Sequence, residues 1–191
     1  MMWLVIGLIL FLGGHSISIF AGPWRDAMAS RLGEITWKGI YSVVALVGFI
    51  LIVVGYGEAR VDPMVLFTPP AWLRHVTMLL MIPVFPLLLA TYLPGRIKTA
   101  VKHPMLIAVK TWALAHLLAN GMLADLLLFG GFLIWAVADR ISMKHRTQRS
   151  IPGAPPGKAN DIIAVVGGLG IFVAFALWGH QWLIGMPLIS R

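Results

Sequence analysis

The residues of this 191-residue chain best placed to do chemistry lie between Lys102 and Gly121, KHPMLIAVKTWALAHLLANG. His103, Lys110, His116 and Asn120 interrupt a run that is otherwise apolar enough for hydrocarbon. An ionisable group in such a run costs several kcal/mol unless something compensates it, so it counts as a functional-site hypothesis by default. Pro104 suits the first turn of a helix. Helical spacing then puts Trp112, His116 and Asn120 on one face at i, i+4 steps, with Lys110 about 120° away. His116 can therefore ligate something flat, or hydrogen-bond to a neighbouring helix.

Other polar residues repeat the question in different settings. Gly13-Gly14-His15-Ser16 sets an imidazole beside glycines that would let a helix or a planar group approach closely. His75, Met78 and Met81 share a stripe of soft ligands that would suit copper(I), though methionine also fills gaps in apolar packing. Lys110 can snorkel to the headgroups or meet an anionic group such as a haem propionate. Asp125, in the first turn of a helix, complements the helix dipole and could orient the His116 ring. His180 sits between Trp178 and Trp182, while His103 and His145 stand among Lys and Arg and read as headgroup-level residues. The chain has no cysteine, which excludes disulfides, iron–sulfur clusters and thiolate ligation within it.

These groups need apolar elements to carry them. The chain is 59% hydrophobic and 12% charged, with a mean hydropathy of +0.88; a soluble domain carries about 25% charge. The net charge of +8 is spread as punctuation between apolar runs, with no basic groove for nucleic acid. The fold class predicted is an all-α integral membrane bundle of about six transmembrane helices, with residues 1–191 forming a single transmembrane domain. The spans predicted are Met1–Phe20, Trp37–Gly57, Trp72–Tyr92, Pro104–Asn120, Met122–Ala138 and Ile162–Ile184. Asn120-Gly121 divides the fourth from the fifth as a turn, and Pro83 and Pro86 should bend the third. The start, MMWLVIGLILFLGGH, lacks a basic leader and reads as a retained helix. Segments between spans read as loops. Eleven Lys and Arg fall in the odd-numbered loops and three (Arg60, Arg74 and Arg191) on the other side, so both termini are expected to be periplasmic.

Two histidines from different helices could hold a haem b. At about 1.5 Å per residue, His116 lies roughly 18 Å from the cytoplasmic boundary and His15 roughly 9 Å. His75 and His180 are closer to His116 in depth.

Several stretches resemble the NnrU family of bacterial membrane proteins. They are Gly14-His15-Ser16 with Arg25, Leu32-Gly33-Glu34, Lys38-Gly39-Ile40-Tyr41-Ser42, Pro69-Pro70-Ala71-Trp72-Leu73-Arg74-His75, His103-Pro104-Met105 and Trp112 through Gly121. The family is linked to nitrite and nitric oxide reduction, and is itself similar to plant 15-cis-zeta-carotene isomerase, a haem b protein with two histidine ligands. The resemblance implies a multi-pass protein of the bacterial inner membrane, in contact with lipid and with components of the nitrite or nitric oxide reductases. It implies haem b on His15 and His116, and chooses His15 over His75 as partner. Arg25 and Lys110 are then candidates for the propionates, and Asp125 for orienting a ligand. The isomerase has a cysteine three residues before its second histidine; Ala113 stands here instead. The role implied is an accessory or maturation factor, with a haem-dependent enzyme of the isomerase type as the alternative and a transporter third.

Overall fold

A computed structural model describes residues 1–146, 149 and 151–188 of the chain. Arg191, counted in the charge tally above, and Thr147, Gln148 and Ser150 of the fifth loop lie outside the described residues. Among the described residues the structure is helical, with one isolated bridge, Val65 to Met122, in place of strands. Four helical stretches are long and apolar enough to cross a membrane: Met2–Phe20, Glu34–Ala59, Leu73–Tyr92 and Asn160–Ile184. Pro104–Ala119 is apolar but shorter, at 16 residues. Outward-facing positions such as Leu46, Ile134 and Trp182 are apolar, which suits lipid as the solvent.

The chain divides into two compact units. The first joins Met1–Leu66 to Met122–Gln148. It contains α1 (Met2–Phe20), α2 (Gly22–Leu32), α3 (Glu34–Ala59) and, later in the chain, the helix Leu123–Ser142. α1 lies on α3 at glycine contacts. A Cβ on Gly7 would stand 2.6 Å from the Ile52 backbone nitrogen, and one on Gly48 would stand 2.8 Å from that of Phe11. Small residues are what let two helix backbones come this close where no hydrophobic effect drives them together. The segment 21–33, expected as a loop, folds instead as α2. Pro23 enters at its first turn, good helix formers follow, and Gly33 at φ 83° stops it.

The second unit joins Phe67–Gly121 to Arg149–Arg191. It contains α4 (Leu73–Met81), α5 (Val84–Tyr92), α6 (Arg96–Val101) and α7 (Pro104–Ala119); the helix of the first unit that follows is α8 (Leu123–Ser142). The unit closes with α9 (Asn160–Ala174), a π-helical turn at Phe175–Gly179 and a last turn, His180–Ile184. The third predicted span breaks between Met81 and Val84, because Pro83 has no N–H to continue the ladder; Pro86 sits harmlessly in the first turn of α5. α5 packs against α7 and α9, and α4 against α7. α6 is tied to the start of α9 by Asp161, whose carboxylate accepts the Arg96 and Ile97 N–H groups at 2.8 and 3.1 Å. Asn160 adds bonds to the Pro94 and Pro155 carbonyls.

Candidate functional site

In the first unit the chemistry gathers on His15, five residues before the end of α1 in the direction of α2. Its Nδ1 lies 2.7 Å from the Phe11 carbonyl oxygen. A carbonyl can only accept, so that nitrogen carries the proton and the lone pair is on Nε2. This is the tautomer a metal-ligating histidine adopts when a backbone carbonyl fixes its other nitrogen. The ring stacks on Phe11 at 4.3 Å between centroids and meets the Tyr41 and Trp135 rings at 5.2 and 5.8 Å.

Beside it opens a cavity of about 200 Å³, lined by Gly14, His15, Ile17 and Ser18 of α1, Arg25 of α2, and Trp37, Lys38 and Tyr41 of α3. The two cations each hold an acid of their own: Arg25 pairs with Asp26 at 3.0 Å and Lys38 with Glu34 at 2.9 Å. One wall of the surroundings belongs to α8, where Trp135 is followed one turn later by Asp139, whose carboxylate takes Arg146 Nη2 at 2.6 Å. Among the described residues, two buried donors there, Trp135 Nε1 and Arg146 Nη1, have no acceptor. In the first turn of α8, the buried carboxylate of Asp125 accepts the Tyr56 hydroxyl on Oδ1 at 2.6 Å and the Met122 N–H on Oδ2 at 2.8 Å.

In the second unit His116 is half-buried on α7 and repeats the same local device. Its Nδ1 lies 2.8 Å from the Trp112 carbonyl oxygen, which again leaves the lone pair on Nε2. The Trp112 ring is 5.4 Å away, and the Asn120 amide donates to the His116 carbonyl at 2.8 Å. The face of Trp112, His116 and Asn120 expected from spacing is thus formed, with Asn120 capping the helix end. Ala115 is buried, and its carbonyl accepts the Thr77 hydroxyl from α4. Lys110 is half-buried on the same helix, whereas His75, in the first turn of α4, is exposed. His180 bonds through Nδ1 to the Met186 carbonyl at 2.8 Å. Among the described residues no three His, Asp or Glu side chains group closely enough to hold a metal ion by themselves.

The structure thus brings His15 together with Arg25 in one unit, and keeps His116, Lys110 and His75 in the other. Lys38, Tyr41 and Trp135 were not among the site residues expected. Lys38 and Tyr41 are adjacent to one another by one helical turn, which spacing could have revealed; nothing in the sequence joins Trp135 to His15.

No curated protein and no solved structure matches the chain significantly. The model of the NnrU protein family matches residues 3–188 of 191, and with the histidine-bearing apolar helices in place the chain belongs to that family.

Proposed function

We propose that this chain is a multi-pass protein of the bacterial inner membrane that binds haem b and supports nitrite and nitric oxide reduction as an accessory or maturation factor. In this reading the four long apolar helices, the shorter Pro104–Ala119 and α8 make six crossings, with both termini periplasmic, as the distribution of Lys and Arg favours. Family membership supports the link to denitrification. The single observation that carries the haem is the state of the two histidines. Each sits on an apolar helix, each gives its Nδ1 proton to the carbonyl four residues back, and each therefore carries its lone pair on Nε2, the tautomer a metal-ligating histidine adopts.

The residues around His15 fit such a group. A Cβ added at Gly13 or Gly14 would meet nothing within 4 Å, so α1 offers open room next to the imidazole. Among the described residues, two buried donors without acceptors stand in the same unit, and the cavity is lined by cations but no carboxylate. His15 and His116 are the candidate iron ligands, and the exposure of His75 favours His15 over it. A bound haem b supplies one-electron redox chemistry or an iron that takes a small ligand. The chain's own part is to fix the imidazole tautomers and to exclude water with Phe11, Tyr41 and Trp135. An isomerase-type enzyme is less well supported, because Ala113 stands where that relative has its cysteine and cannot exchange as a ligand.

The test is a reduced-minus-oxidised spectrum of protein purified after haem supplementation. His116→Ala is expected to abolish the haem signal, His15→Ala to abolish it or turn it high-spin, and His145→Ala to leave it unchanged. Loss of haem in His75→Ala with a normal low-spin spectrum in His15→Ala would transfer the ligand role to His75. A wild-type preparation with no Soret band removes the cofactor altogether.

A further inference from the structure

We infer that the cavity beside His15 seats the acidic side chains of the ligand, with Arg25 and Lys38 as their counter-charges; for the haem reading, on which this rests, those groups are the propionates. Arg25 and Lys38 come from different helices yet line one cavity with His15, and Ser18, Trp37 and Tyr41 add only groups able to donate a hydrogen bond. The lining carries two positive charges and no negative one. The acids that pair with these cations lie outside it: the Asp26 and Glu34 side chains are 56% and 67% exposed and neither lines the cavity. The Arg25 side chain is only 19% exposed, so its charge is less screened than that of a surface arginine.

A neutral ligand would add nothing to the exposed ion pairs with Asp26 and Glu34 that these cations already make. A carboxylate offers each of them a charge-assisted hydrogen bond, and a guanidinium can take both of its oxygens at once. The cavity also separates these two cations from other basic residues of the helices. Arg31 shares α2 with Arg25 and Lys110 lies on α7, and neither lines the cavity. Arg25 should count for more than Lys38, whose side chain is 58% exposed and tied to Glu34 at 2.9 Å.

The experiment titrates the full-length apoprotein in detergent with haem b and, separately, with its dimethyl ester, in which both acids are masked. The Soret change reports binding in each case. The ester partitions differently into detergent, so the quantity read is the ratio of variant to wild-type Kd for each porphyrin. Arg25→Gln is expected to weaken haem binding roughly 10–100-fold, and Lys38→Gln roughly 3–10-fold, from the loss of one charged hydrogen bond apiece. Neither should change the Kd of the ester by more than about twofold, and Arg31→Gln should change neither Kd. Ester binding in the variants doubles as the check that they are folded. Equal losses for haem and ester, or no loss for haem, would overturn the acid seat and leave the haem reading standing. Absence of a Soret band with either porphyrin in the wild type would overturn the haem reading and this inference with it.

Discussion

Replacing Gly7 with alanine adds one methyl group to the surface that fixes where His15 sits. The new Cβ would lie 2.6 Å from Ile52 N, 2.8 Å from Gly48 O and 2.9 Å from Leu51 C, against about 3.4 Å for an ordinary contact. The shortfall is about 0.8 Å, and all three atoms belong to the α3 backbone, which has no rotamer to change. The helices must therefore part by nearly 1 Å along a seam that also packs Leu4, fully buried, against Gly55. Overpacking of this kind costs about 1–3 kcal/mol, and alanine returns about 1 kcal/mol of helix propensity. The net loss expected is up to about 2 kcal/mol. Gly57→Ala is the matched control, because a Cβ there meets nothing within 4 Å and only the propensity gain applies. Denaturation of both variants in mixed micelles, followed by circular dichroism, should place Gly7→Ala below wild type and Gly57→Ala at or above it. Identical midpoints for the two would refute the account of α1–α3 packing, and with it the reason that Tyr41 and Lys38 face His15.

Tyr56→Phe removes a buried hydroxyl that donates to the Asp125 carboxylate at 2.6 Å, and should cost about 1.5–3 kcal/mol in the same assay while leaving haem content at the wild-type level. Reporter fusions in the fifth loop near Pro155 should register as cytoplasmic, and fusions after Arg191 as periplasmic; opposite signals would invert the proposed topology.

Much of this molecule was legible before any coordinates. Apolar runs long enough to span, the break at Asn120-Gly121 and the proline interruption after Met81 follow from hydrophobicity, length and a missing N–H. These are local properties of the chain. The face shared by Trp112, His116 and Asn120 was legible for the same reason, since one helix supplies all three residues. The family was legible because its motifs run through most of the sequence. α2 was not, because its polar composition reads as loop, and helix formation there depends on Pro23 and Gly33 framing the segment more than on periodicity. The partners of Asp125 were also decided by tertiary structure: Tyr56 is 69 residues away in sequence, and only the packing of the first unit brings its hydroxyl to the carboxylate. The site around His15 depends on the same kind of information. Its tautomer is set within α1, but Arg25, Lys38, Tyr41 and Trp135 come from three other helices. Their approach depends on how closely α1 and α3 can lie at Gly7, Gly48 and Gly55, a distance set by the absence of side chains and written in no single segment.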